Sequence, residues 1–230
     1  EAFKKCITDC ETYGYTMYLQ SNKTYLINPV ILNNVKLYGN GAVIKMPIQP
    51  STNSPVLTLK GGSQAYDMTI IGDIESTVEG EWNHGVFVDQ GKNVVLSNLL
   101  IKNTKGDGIA VAGETDGIKI IGCVADGVYR NGLSLISCKN VYINLFKGYN
   151  INGTPPMACI DIEGNSSGDF TKDISIGTIV SKNCSRALSV ICRGNEVSGE
   201  VGTIVCDNMT GAGVNFAYSE VNDTSVSLIN

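Results

Sequence analysis

Histidine and tryptophan occur once each, proline six times, and charged residues make up only 17% of the 230 residues. A single histidine excludes a multi-histidine metal site and makes a Ser-His-Asp hydrolase depend on one residue. No run of lysine or arginine occurs and the net charge is −5, so the chain carries no electrostatic footprint for nucleic acid or for an anionic membrane surface. Nor is there an apolar stretch of about eighteen residues, the minimum for a spanning helix, or a basic N-terminal segment followed by an apolar run. These absences set the expected partners: no nucleic acid, no membrane insertion, no metal and no cofactor.

What is present points to β-structure. Hydrophobic residues reach 43%, enough for a sizeable core, and glycine is abundant at 26, which favours turns and closely stacked backbone over long solvated helices. Of the eight cysteines, Cys123, Cys138, Cys159, Cys184, Cys192 and Cys206 fall in or beside apolar strand runs, where a thiol packs as a small hydrophobe. They read as reduced and buried, which hints at assembly in a reducing compartment.

A short pattern, one small residue followed by apolar, any, apolar, recurs along the chain. Its copies are Gly85-Val86-Phe87-Val88, Gly108-Ile109-Ala110-Val111, Gly132-Leu133-Ser134-Leu135, Cys159-Ile160-Asp161-Ile162, Ala187-Leu188-Ser189-Val190 and Gly213-Val214-Asn215-Phe216. A second series keeps step with it: Asn34-Val35-Lys36-Leu37, Asp67-Met68-Thr69-Ile70, Asn93-Val94-Val95-Leu96, Gly117-Ile118-Lys119-Ile120, Asn140-Val141-Tyr142-Ile143 and Asp173-Ile174-Ser175-Ile176. Each copy alternates with period two and is too short to stand alone, so like must stack on like about 4.8 Å apart. Asn103, Asp126, Asn150, Asn183 and Asn208 follow the second series as a turn ladder, because Asn and Asp tolerate left-handed backbone.

The expected fold is all-β: a single-stranded right-handed parallel β-helix, a solenoid with coils of roughly two dozen residues. A β-sandwich also uses short strands but has no reason to repeat one register over successive coils. Residues 1–230 read as one domain. Within it, residues 1–13 form a short N-terminal capping α-helix, with Phe3, Cys6, Ile7 and Cys10 at helical spacing and Gly14 as its stop, and residues 14–230 form the coils. Cys6 and Cys10 are expected to face the core.

The opening, from Phe3 through Tyr18-Leu19-Gln20, Thr24-Tyr25-Leu26-Ile27 and Val35-Lys36-Leu37-Tyr38-Gly39-Asn40-Gly41-Ala42, resembles the entry segment of the pectate-lyase-like superfamily of β-helix proteins. Arg130-Asn131-Gly132-Leu133-Ser134, Gly153-Thr154-Pro155-Pro156 and Ile160-Asp161-Ile162-Glu163 are similar to a block found in bacterial and phage-tailspike β-helices. No galacturonase or calcium-dependent pectate lyase signature accompanies them. The resemblance implies a polysaccharide partner, a virion tail or extracellular location and, as in tailspikes, a homotrimer.

With the apolar positions of the first series inward, Phe87, Ala110, Ser134, Asp161, Ser189 and Asn215 form an outward column, and Asp89, Ala112, Ile136, Glu163, Ile191 and Ala217 another. Asp161 and Glu163 then share an exposed strand face with Cβ atoms ~6.6 Å apart, a separation suited to a carboxylate pair acting on a glycosidic bond. Glu163, between isoleucines, is expected to be the protonated acid, and Asp161, between serines, the base or nucleophile. Both also read as solvated strand carboxylates. A turn column before each strand holds His84, Asp107, Asn131, Ala158, Arg186 and Ala212, with Arg130 beside it. Asp107 is kept as a third acid, although Asp-Gly is also a plain turn signal.

Arg130, His84, Asn131 and Arg186 are the candidate substrate contacts. The arginines could instead pair with Asp107 or Asp161. Trp82, in an acidic loop with Glu75, Glu79 and Glu81, is a candidate sugar-stacking residue or a packing residue. The loop Asn150 to Met157 is the expected groove wall. The leading function is a glycoside hydrolase acting on a cell-surface or capsular glycan, in a phage tailspike or a secreted bacterial protein. The alternatives are a non-catalytic adhesin or tail-fibre segment, and a uronate lyase or epimerase centred on Arg130.

Overall fold

The computed structural model describes residues 1–47, 53–75, 80–166, 168–192, 196–211, 213–218 and 224–228. Glu79, Ala212 and the side chain of Cys192 lie outside the described residues. The fold is the expected all-β solenoid of parallel strands, with one helix among the described residues, α1 (Ala2–Tyr13), at its N-terminal end.

The first ladder pairs in the register that the small-apolar repeat dictates. Val86 lies beside Ile109, Ile109 beside Leu133, Leu133 beside Ile160, Ile160 beside Leu188, and Leu188 beside Val214. It extends toward the N-terminus through Leu57–Gly61 and Val30–Asn33, giving eight rungs among the described residues. Every second side chain enters a column of Leu32, Leu59, Val88, Val111, Leu135, Ile162 and Val190, all buried. This column meets a facing one, Leu37, Ala65, Leu96, Ile120, Ile143, Ile176 and Val201, in one continuous core. Stacking identical positions is how strands as short as three residues bury enough apolar surface to persist.

Corners between strands are left-handed residues with φ between 51° and 81°, in vertical sets: Asn93, Gly117, Asn140 and Asp173; Asp67, Asn98 and Gly122; Asn103, Gly127, Asn150, Asn183 and Asn208. Asparagine accepts this backbone at little steric cost, and its amide can bond to the next rung. Asn208 Nδ2 donates to Asn183 Oδ1 at 2.6 Å, Asn183 Nδ2 to Asn150 Oδ1 at 2.8 Å, and Asn150 Nδ2 to Asp126 Oδ1 at 2.8 Å.

Four details depart from the sequence reading. The left-handed position in the third set is Gly127 rather than Asp126, whose carboxylate supplies the acceptor that glycine lacks. Asp67-Met68-Thr69-Ile70 belongs to the next strand of its coil, since Met68 pairs with Leu99. The rung between Val35-Leu37 and Val94-Leu96 is instead Gln64-Ala65. Both kinds of strand open on a left-handed Asn or Asp, so the local pattern does not distinguish them. On α1, Ile7 and Cys10 are buried with Phe3 packed against the core, while Cys6 is exposed, because residues 3, 7 and 10 make the apolar stripe and residue 6 falls beside it. Cys206 is also exposed: the last rung pairs only with Val197–Val201, leaving Cys206 uncovered among the described residues.

Candidate functional site

The outward columns form as expected. Ser134 pairs with Ala110 and Asp161, Asp161 with Ser189, and Glu163 with Ile191. They are not open to solvent, however. Asp161 is 2% and Glu163 9% exposed, which corrects the expected exposed face. Residues from other coils reach along the flank to them. His84 precedes the Val86 rung and Asp161 lies three rungs farther on, ~14 Å at the usual spacing. Even so, Glu81, Trp82 and His84 line the same cleft as Arg130, Ser134, Ile136, Asp161, Glu163 and Asn165. The cleft holds about 70 Å³ and adjoins a second of about 330 Å³ walled by Gly80, Lys105, Tyr129 and Thr154. Glu81 and Arg130 belong to both. Thr154 places the 150–157 loop at the groove wall, as anticipated. Its seat requires glycine at 153, where a Cβ would collide with the Tyr129 carbonyl and ring.

Five of the expected site residues therefore meet: Asp161, Glu163, Arg130, His84 and Trp82. Three do not. Asp107 and Asn131 are fully buried and do not line the cleft. Asn131 is saturated: its N–H donates to Asp107 Oδ1 (3.1 Å), its Nδ2 to Ser134 Oγ (3.1 Å) and Asp161 Oδ2 (3.2 Å), and its Oδ1 accepts the Ala158 N–H (3.0 Å). Arg186 lies off the cleft, with Nη1 donating to the Pro156 carbonyl at 3.1 Å; that bond holds the 150–157 loop. Sequence reasoning did not single out Glu81, Asn165, Lys105, Tyr129 or Thr154 as contacts, although Glu81 stood beside the sole tryptophan and Thr154 within the expected wall loop.

The electrostatics favour a proton on Asp161, the carboxyl expected from the sequence to serve as base or nucleophile. Burial, and then the neighbouring Glu163 charge, push the Asp161 carboxyl well above the ordinary carboxylate range. Serine neighbours within the column suggested a polar setting, but Asp161 is shut off from solvent there. Burial also raises Asp107 to about 6, against the opposing pull of Arg130, whose Nη1 stands 4.0 Å from Asp107 Oδ2. Burial, then the Arg130 charge, lowers His84 to about 3. Asp107 Oδ2, Asp161 Oδ1 and Arg130 Nε are buried without a hydrogen-bond partner among the described residues, so the network is electrostatically tense. Trp82 is 52% exposed and stands edge-on to His84 and Phe87, with ring centroids 5.9 and 5.8 Å away. Among the described residues no group of three or more His, Cys, Asp or Glu is arranged to hold a metal ion.

No protein-family model matches the sequence. The chain is 23% identical over 222 residues to the uncharacterized protein YclG of Bacillus subtilis (strain 168), a match covering 80% of this chain and 38% of YclG. In structure it is similar to the Dettilon tailspike protein gp208, with a TM-score of 0.72 at 15% identity, covering 97% of this chain and 44% of that one. The fold is shared. A looser overlap, TM-score 0.47 at 11% identity, covers 94% of this chain and 56% of tailspike protein gp49 from the Acinetobacter baumannii bacteriophage Fri1, a capsular polysaccharide depolymerase. The chain thus spans less than half the length of YclG and of gp208. The parallel β-solenoid is the architecture that the pectate-lyase-like resemblance implied.

Proposed function

We propose that the chain is the polysaccharide-acting part of a tailspike or secreted β-helix protein and that it hydrolyses a cell-surface or capsular glycan in the groove over Asp161 and Glu163. One observation carries this reading: two carboxyls two residues apart on one strand form the floor of a cleft and sit in environments that favour a proton on Asp161. Asp161 gives that proton to the glycosidic oxygen as the bond to the leaving sugar breaks. Water adds to the anomeric carbon, and Glu163 takes up the proton that the water loses. Trp82 supplies an exposed ring for the apolar face of a sugar, and Arg130 donates to its oxygens from the wall. The likeness to a tailspike supports a place on a phage tail or outside the cell, and assembly as a homotrimer is part of the same proposal.

Incubation with a panel of bacterial surface polysaccharides tests it. New reducing ends are expected, together with quenching of the single tryptophan, and Asp161→Asn and Glu163→Gln should each lower turnover at least 100-fold while folding normally. Quenching without product would make the chain a binding module, and an unsaturated product would move the chemistry to lyase action beside Arg130. Full turnover in both variants would remove the pair from the mechanism.

A further inference from the structure

His84 is buried except where it meets the cleft, and its neighbours settle its chemistry. Its Nδ1 accepts the backbone N–H of Asp107 at 3.0 Å. A ring nitrogen that accepts a hydrogen bond carries no proton, so the proton of the neutral imidazole is on Nε2. The Asp107 carboxylate does not compete for Nδ1, since its Oδ2 is 3.6 Å away. Trp82 and Phe87 fix the ring plane, with centroids 5.9 and 5.8 Å off. Behind the ring the 105–107 turn closes so tightly that a Cβ at residue 106 would stand 2.9 Å from Nδ1 and 2.6 Å from the Glu81 carbonyl, which is why glycine occupies that place. The charged and titratable groups around the ring are Asp107 below it, Arg130 across from it, and Glu81, Asp161 and Glu163 along the cleft. Among the described residues no acceptor meets Nε2, although His84 lines the cleft.

We propose that His84 determines specificity in this cleft: an uncharged imidazole locked in the Nε2–H form by the Asp107 main chain, which offers a fixed donor to an acceptor oxygen of the bound sugar. The identity of the ligand rests on the carbohydrate reading above; the lock does not. A donor of this kind differs from Arg130 in asking for no negative charge. It selects where a hydroxyl, ring or carbonyl oxygen must lie, and an analogue without that oxygen leaves a desolvated N–H unpaired.

Because the chain has one histidine, its imidazole nitrogens are assigned without ambiguity in a ¹⁵N-labelled sample of the whole protein. From pH 8 down to pH 4.5 the spectrum should show an unprotonated Nδ1 and a protonated Nε2 with no titration. A protonated Nδ1, or a midpoint near the ordinary histidine value of ~6.5, would overturn the lock. Glucose, N-acetylglucosamine and glucuronate, added singly at high concentration, should move the Nε2 signal together with the Trp82 indole signal. An indole that responds while Nε2 stays still would overturn the donor role; silence from both counts against the carbohydrate reading, and the pH series still decides the lock. His84→Asn keeps an acceptor for the Asp107 N–H but is too short to place a donor at the Nε2 position, so it should fold as the parent does and lose about 10- to 100-fold in sugar affinity. His84→Gln, which places an amide nitrogen near Nε2, should recover part of that loss.

Discussion

The Asn131 amide reaches across one rung of the stack to Asp161, with Nδ2 donating to Oδ2 at 3.2 Å. Asn131 is also held at its backbone by Asp107 and at its Oδ1 by the Ala158 N–H, so the position of the candidate acid is fixed by residues that no ligand touches. Removing the amide takes the acceptor from the Ala158 N–H and the donor from Asp161 Oδ2, whose sister oxygen already has no partner among the described residues.

Asn131→Ala should therefore cost about 2–4 kcal/mol of stability, and turnover should fall even where the variant remains folded. Urea unfolding checks the first expectation and kcat against KM the second. A loss confined to KM would show that the tether does not position Asp161 for chemistry.

Asp107 makes stability depend on pH in a particular direction. Its carboxyl titrates near 3.8 when solvated and at about 6 in the folded chain, so the native state keeps the proton longer. The resulting stabilisation is complete below the unfolded value and is lost as pH rises through about 6. Asp107→Asn cannot ionise and escapes this loss. Relative to the parent it should gain on the order of 3 kcal/mol between pH 4 and pH 8, measured by urea unfolding at both ends. His84, lowered to about 3, works with the opposite sign: its contribution is present above ~6.5 and lost as pH falls toward 3. Both proteins carry it, and it acts mainly below the ordinary histidine value, so the rise in the difference through pH 6 reads Asp107. Parallel stability curves would place Asp107 in a wetter setting than the structure shows.

The asparagine corner offers a test of the stack itself. Asn183 has φ of 54°, donates to Asn150 and accepts from Asn208. Asn183→Ala loses both bonds and strains the left-handed backbone, at a cost of about 2 kcal/mol. Asn183→Gly loses the bonds but relieves the strain, and should cost about half as much. Thermal unfolding of the two variants separates backbone from ladder.

The solenoid was legible because its constraint is periodic. Val86, Ile109, Leu133, Ile160, Leu188 and Val214 had to stack once each coil closed, and the outward columns followed from strand alternation. The slip at Asp67 arose because two strands of a coil begin alike, and the displacement of Asp126 by Gly127 because glycine and asparagine serve the same corner. The cleft was less legible. Asp161 and Glu163 were visible as a pair, but their burial depends on loops whose path across three rungs leaves no trace within any one repeat. For the same reason Asp107 and Asn131 read as contacts when they lie underneath, and Arg186, bound to the Pro156 carbonyl, read as part of a groove it does not enter.

Each inner rung is held by the one above and the one below, while the cleft is dressed by residues of segments outside the strands: Glu81, Trp82 and His84 ahead of Val86, Arg130 ahead of Leu133, and Asn165 after Glu163. Such segments can lengthen, shorten or change composition without disturbing the interior. Ligand preference in a molecule of this shape can accordingly drift quickly among descendants whose cores stay alike, so shared architecture is a poor guide to a shared sugar.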